Sequence, residues 1–426
     1  MATNTALPEI TRAALAFEQQ NWATGSVLDD PFYSVDSSTA SKAPGTLLKV
    51  EKNTKSTNFT LPPATALSRI VYQSKNLNGS LVPVSAYILW PLSPRTSQDG
   101  YQVVAWAHGT SGAGPNCAPS HLKNLWQHFL GPYQLALQGY VVVATDYAGL
   151  GVSKNASGIP IVHEYLSGPS QANDVFYSVA AAQAAFPELS ASFVVIGHSQ
   201  GGGAAWACSQ RQAVDPVAGY LGAVALAPVT AVLDQAEPTR SLLQFAMIPG
   251  VAAYFPEFNS GDILTPEGAE RMVLSQQVGG NTGTSMSLLM GVQLLKPNWP
   301  ENSFVKEYET LVANGGIAIA EPLLVIHGEA DPLLNVNITT TAVERTVELF
   351  PASKIEYIRI PKVSHNACMT ASQWAWMEWI GNRFAGVEEA SGLKSRVLPV
   401  RAAPPNSYQA DLNWWLAPAT QFYETP

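Results

Sequence analysis

The chain has 426 residues, a net charge of −9 and only 13% charged side chains. Such a balance argues against nucleic acid or an anionic membrane surface as partner, and no apolar run is long enough to cross a bilayer. Three cysteines, Cys117, Cys208 and Cys368, allow at most one internal disulfide, and without C-x-x-C spacing they point to no zinc or redox site.

The length suffices for a large core in one long α/β unit. Residues 1–60 read as an N-terminal arm with one short helix over 10–20. Strands are predicted over 69–72 and 83–89, and Asn76-Leu77-Asn78-Gly79 between them predicts a hairpin. From residue 102 onward, strand and helix alternate. Strands are predicted over 102–107, 140–145, 193–196 and 222–227. Helical stretches are predicted over 122–137, 173–185 and 204–212. This alternation predicts a mostly parallel sheet with helices on both faces. The rhythm breaks over 229–316, where four helix-like pieces (241–246, 267–275, 285–295 and 304–313) are separated by Pro and Gly. That stretch reads as an inserted helical cap. The sheet resumes over 322–326 and 355–360, with helices over 340–349 and 372–384. The expected division is therefore a core of 1–228 and 317–390, a cap of 229–316, and an extension of 391–426. The extension contains Trp414-Trp415-Leu416, which is too aromatic for a free tail and is expected to pack on the body.

The chemistry centres on Gly197-His198-Ser199-Gln200-Gly201. It follows the apolar run Phe193-Val194-Val195-Ile196 and precedes a helical run. A G-x-S-x-G at a strand-to-helix turn is a nucleophile elbow, because its glycines admit a sharp turn that no Cβ would allow. Ser199 needs a base to take its proton, and that base needs a carboxylate to orient it. On this architecture the chain order is Ser, acid, His. His327 and His365 are the two histidines after Ser199. His365 lies in a loop after a strand, where ligand chemistry collects, and is expected to be the base. His327 directly follows an apolar strand and is expected to be structural. Gly328-Glu329-Ala330-Asp331-Pro332 offers two acids, and the turn-forming Asp331 is favoured over Glu329. Asp146, at a strand tip before the serine, is expected to hydrogen-bond loop backbone. An oxyanion needs two donors: the backbone N–H of Gln200, and that of Thr110 in His108-Gly109-Thr110.

These motifs stand in order with Asn116-Cys117-Ala118-Pro119-Ser120 and Asp146-Tyr147-Ala148-Gly149-Leu150-Gly151. Together they resemble the fungal and bacterial secretory lipases related to Candida antarctica lipase A, over residues 100–385. The resemblance implies an α/β-hydrolase fold with an inserted helical cap, and hydrolysis of triacylglycerols or simple esters. It carries over Ser199 as nucleophile, Asp331 as acid and His365 as base, with Thr110 and Gln200 as oxyanion donors. It implies no metal and no cofactor. It also implies export, although no signal peptide is visible in residues 1–21. Four N-x-[ST] sequons, at Asn58, Asn78, Asn155 and Asn337, are weak support for export in so Asn- and Ser-rich a chain.

The expected activity is serine carboxylic ester hydrolysis on a small-molecule or lipid ester. Acyl transfer with the same triad and a short-chain, acetyl-preferring esterase stay open as alternatives. Phe245 and Met247, in an apolar stretch of the cap, line an acyl pocket on one reading and are ordinary core on the other. The sequence says nothing of oligomeric state.

Overall fold

The computed structural model describes residues 7–399 and 419–424. Trp414-Trp415-Leu416 lies outside them. Eleven strands form one sheet. They are β1 (Leu47–Glu51), β2 (Thr65–Lys75), β3 (Leu81–Pro91), β4 (Thr96–Ser97), β5 (Gly100–Ala107), β6 (Val141–Thr145), β7 (Leu189–His198), β8 (Tyr220–Leu226), β9 (Leu323–Gly328), β10 (Lys354–Ile360) and β11 (Gly392–Val397). Their order is β1-β2-β3-β6-β5-β7-β8-β9-β10-β11, with β4 on β5. Neighbours from β6 to β11 along this order are parallel, while β1, β2, β3 and β6 pair antiparallel.

The central strands are parallel because helices cover both their faces. Val103, Val104, Phe193 to Ile196 and Leu323 to Ile326 are all at most 1% exposed. One face packs under α3 (Gly168–Ala185), α4 (Gln200–Val214) and α9 (Val336–Leu349), through Phe176, Trp206 and Val343. The other packs under α2 (Pro132–Leu137), α10 (Ala367–Ala371) and α11 (Gln373–Phe384), through Tyr133, Met369 and Trp376. A third apolar cluster belongs to the stretch between β8 and β9. There α5 (Thr239–Tyr254), α6 (Pro266–Val278), α7 (Thr282–Leu289) and α8 (Ser303–Val312) bury Phe245, Met247, Leu288, Trp299 and Tyr308 together.

The hairpin forms with Lys75 opposite Leu81. Three local expectations are corrected. Residues 122–137 are not one helix; only α2 is α-helical there, because Gly131 and Pro132 restart the chain and Leu125, Trp126 and Gln127 turn left-handed. The helix over 285–295 stops at Leu289, before the positive-φ Gly291, and Leu295 instead bridges to Leu264. The N-terminal arm contributes a half-buried edge strand, β1, besides α1 (Glu9–Gln20). On the opposite edge, β11 is anchored by Arg396 and Lys394, both paired with Glu356. The three cysteines are free and buried. Among the described residues no helix is long and apolar enough to cross a membrane.

The α1 helix reaches the helices between β8 and β9. Its Glu18 carboxylate accepts from the backbone N–H of Asn281 and of Thr284 and from the Thr284 hydroxyl, so it caps the start of α7. Thr11 of α1 also meets Ser287 of α7.

Two carboxyls are sealed beside the strand tips. Asp146 accepts from Ser85, from the Ser120 hydroxyl and from the Ser120 N–H, so it fixes loop backbone. Asp174 accepts from Ser74 and from the Ala148 N–H. Burial outweighs these bonds and pushes each carboxyl up to about 7. The folded chain therefore keeps protons that the unfolded chain releases at lower pH. That part of its stability is complete below the ordinary carboxylate range and is lost as pH rises through about 7. Asp146→Asn should remove one such proton and flatten the decline by about 1.4 kcal/mol per pH unit. Urea midpoints at pH 5 and pH 7 check this; an unchanged slope contradicts it.

Candidate active site

The C-terminal ends of β5, β7, β9 and β10 bring the chemistry-bearing residues together. Ser199 sits between β7 and α4 with φ 58° and ψ −117°. Such backbone costs about 1–3 kcal/mol and persists only where the surroundings impose it. They do so here. A Cβ on Gly197 would lie 2.1 Å from the Gly201 carbonyl oxygen, and one on Gly201 only 1.9 Å from that of Ala107. Ser199 N–H donates to Leu226 O, while its own carbonyl accepts from Gly203 and Val229. The serine is thus held on both sides by backbone.

The acid and base loops are joined to each other. Glu329 N–H donates to Ile360 O and Ala330 N–H to Val363 O. A Cβ on Gly328 would strike Val363 O at 2.3 Å, so glycine lets the loops meet. His365 Nδ1 donates to Asp331 Oδ2 at 2.6 Å. The same oxygen accepts from His327 Nε2 at 3.1 Å, and Oδ1 accepts from Leu333 and Leu334 N–H. Burial works to raise the Asp331 carboxyl, but bonds from both histidines prevail and hold it well below the usual range. Glu329, the other acid weighed, pairs instead with Arg359 near solvent. His327 is enclosed, with Nδ1 on Thr339 and Nε2 on Asp331. Among the described contacts, no hydrogen bond joins Ser199 Oγ to His365. The ring of His198, the residue before Ser199 in the chain, packs 4.6 Å from that of His365.

The loop after β5 faces the start of α4. Its Gly109 N–H is taken by Gln127 Oε1 at 2.7 Å, and Gly109 O accepts from Trp126 Nε1. The Thr110 and Gln200 N–H groups have no acceptor among the described residues. The Thr110 hydroxyl meets the Tyr165 hydroxyl at 2.8 Å. The Gln200 side chain is 1% exposed, with its amide against His163 and its Oε1 unpartnered. Phe245 and Met247 are 3% and 1% exposed in the third cluster, which Tyr165 also joins. Two clefts of about 260 and 270 Å³ lie elsewhere, one beside β9 to β11 and one between Thr230 and Arg345. Neither reaches Ser199, Phe245 or Met247.

Residues 104–377 match the profile of the alpha/beta hydrolase family. The chain belongs to that family. No curated protein matches it in sequence. The fold of this α/β hydrolase is similar to that of Candida antarctica lipase A in its closed state. That match has TM-score 0.70 and 15% identity, over 87% of this chain and 90% of the other. It is also similar to the rice cell wall degrading esterase LipA from Xanthomonas oryzae (TM-score 0.62, 18% identity, 80% and 97% covered). A putative hydrolase from Legionella pneumophila has TM-score 0.61 at 15% identity, over 80% and 97%.

Four residues of this hydrolase's site escape sequence reasoning: Gln127, His198, His163 and Tyr165. His198 occupies a variable position of the elbow, and the others carry no motif. Gln127 is set by three successive left-handed residues, Leu125, Trp126 and Gln127, with φ of 57°, 52° and 52°. Each costs roughly 1–2 kcal/mol, so tertiary contacts must hold them.

The elbow generates a direct test. Gly201→Ala should lower stability by roughly 1–3 kcal/mol through backbone collision, and any Ser199-dependent activity should fall with it. Denaturant melts beside labelling of Ser199 by a fluorophosphonate check this; wild-type values for both would show that α4 has room to retreat.

Proposed function

We propose that this hydrolase is a serine carboxylic ester hydrolase, working through an acyl-enzyme on Ser199. The observation that carries the reading is the 2.6 Å His365–Asp331 bond, with the His365 ring against His198, the residue before the strained elbow serine. Ser199 Oγ attacks the ester carbonyl carbon while His365 Nε2 takes the hydroxyl proton. The oxyanion accepts from Thr110 and Gln200 N–H. Collapse breaks the bond to the alcohol oxygen, and His365 returns the proton to that leaving group. Water, activated by the same imidazole, then attacks the acyl-enzyme and restores Ser199. Asp331 holds the Nδ1–H tautomer and stays ionised throughout, as its depressed carboxyl requires. Relatives of this fold named as a lipase and an esterase support the reaction class.

Ser199→Ala should fold and lose on the order of 10⁴-fold in p-nitrophenyl ester turnover. His365 Nε2 must be free of a proton to act as the base, so kcat/KM should fall on the acid side. Because Asp331 is already charged, no second ionisation should shape that acid limb. His365→Ala should abolish turnover, whereas His327→Ala should mainly lower the melting temperature. An essential His327 beside a dispensable His365 would reverse the assignment.

The helices over 229–316 act in this reading as a cap, with α5 above the acyl side of the site. Tyr165 supports this, since it joins the α5 cluster and also bonds Thr110. Each acyl methylene buried there adds about 0.8 kcal/mol. The kcat/KM for p-nitrophenyl esters should therefore rise from acetyl to hexanoyl. Phe245→Asp or Met247→Asp should flatten the rise and spare acetyl turnover. If acetyl is preferred over every longer chain, the cap closes the site without lining it.

A further inference from the structure

One hydrogen-bonded chain crosses the site behind the serine, and the reaction just described does not use it. Gly109 N–H, which can only donate, fixes Gln127 Oε1 toward the loop after β5 at 2.7 Å. The Gln127 amide nitrogen must then face the other way, where it meets His198 Nδ1 at 3.0 Å. An amide NH₂ only donates, so Nδ1 accepts and the proton sits on His198 Nε2. That N–H donates to the backbone carbonyl of His365 at 3.2 Å. The donor and acceptor directions agree along the whole chain. Every member is sealed: Gln127 and His365 are 7% exposed and His198 1%. A Cβ on Gly109 would lie 2.7 Å from the Gln127 amide nitrogen, so the contact has no slack. Burial, the dominant influence, pushes His198 well below the ordinary imidazole range, and the neighbouring His365 lowers it further. It therefore stays neutral, as the single-proton pattern needs.

We propose that Gln127 and His198 are positioning residues, which tie the loop carrying Thr110 N–H to the loop carrying His365 across the back of Ser199. The inference rests on the ester-hydrolase reading. An oxyanion donor and a general base act on the same tetrahedral species, so both must be placed together within a fraction of an ångström. The two loops leave from β5 and β10, which are not neighbours in the sheet. Between them stand β7, β8 and β9, and His198 is the last residue of β7. The left-handed run at Leu125, Trp126 and Gln127 delivers the amide to that residue. Its unfavourable backbone is accounted for by what Gln127 and Trp126 do at Gly109.

The test uses Gln127→Met, which keeps volume and removes both bonds, and His198→Phe, which keeps a ring against His365 and removes both bonds. Each should lower kcat for p-nitrophenyl butyrate about 10–100-fold, with KM within about threefold, because the loss falls on the transition state. The double variant should be no slower than the slower single, since either change cuts the same chain. A purely structural role would instead lower melting temperature and leave kcat per folded molecule intact. A kcat within twofold of wild type for Gln127→Met, or losses that multiply in the double variant, overturns the inference. A measurement on the intact wild type guards against variants that do not fold. With ¹⁵N-histidine labelling, two-bond ¹⁵N–¹H spectra at neutral pH should show His198 neutral, with its proton on Nε2. A proton on Nδ1 overturns the inference as well. Turnover that survives Ser199→Ala would instead remove the ester-hydrolase reading, and the inference with it. Turnover that needs Ser199 but ignores Gln127 removes the inference alone.

Discussion

The start of α4 lies closer to the ends of β5 and β7 than any side chain permits. With a Cβ position 1.9 Å from the Ala107 carbonyl oxygen, Gly201 can only be glycine, and Gly197 is bound by the same geometry from the other side. This contact sets how far the helix can descend onto the sheet. It therefore sets where Ser199 stands and forces its positive φ. The cost of that backbone is borne by the C-terminal halves of β5, β7, β8 and β9, whose side chains are withdrawn from water. A strained residue of this kind needs a rigid frame, and the parallel centre of the sheet is the most deeply buried part of the molecule.

On the other side of the serine, a single carboxylate organises the histidines. Asp331 uses Oδ1 for two backbone N–H groups at its own turn and Oδ2 for two imidazoles. All its lone-pair directions toward protein are engaged, and its side chain has no exposed surface. A buried charge is tolerable when it is this fully hydrogen-bonded. The second imidazole, His327, is held in turn by Thr339 of α9. The orientation of His365 is thus referred back to a helix packed on the sheet, and does not depend on its own loop alone.

Much of this was legible in the sequence, for reasons that differ by element. The central strands were readable because burial on both faces demands unbroken apolar runs, such as Phe193 to Ile196. The elbow was readable because a steric requirement leaves glycine at fixed positions. The adjacency of Asp331 and His365 followed from chain order on that architecture. What could not be read was decided by distant contacts. Residues 122–137 have helix-compatible composition, yet Trp126 and Gln127 take left-handed backbone because their side chains bond Gly109. Propensity is a weak prior against such a contact. Strands β1 and β11 were missed because edge strands bury little and so carry little apolar pattern. The histidine inside the elbow gave no sign of its bonds, because its partners lie 71 and 167 residues away.

The attachment of α1 to α7 bears on how the helices between β8 and β9 can move. Glu18 engages the first turn of α7 through three hydrogen bonds, and Thr11 adds a fourth further along the helix. Beside it, the Cys117 thiol donates to Gly280 O and Gly112 bridges to Asn281. The α7 edge of this layer is riveted to the N-terminal arm and to the loop after β5, whereas α5 rests mainly on apolar contact. Apolar surfaces slide without breaking directional bonds; a carboxylate seated on backbone N–H groups does not. Any shift of this layer would therefore have to break directional bonds at α7 but not at α5, and the arm's first helix is what holds that edge in place.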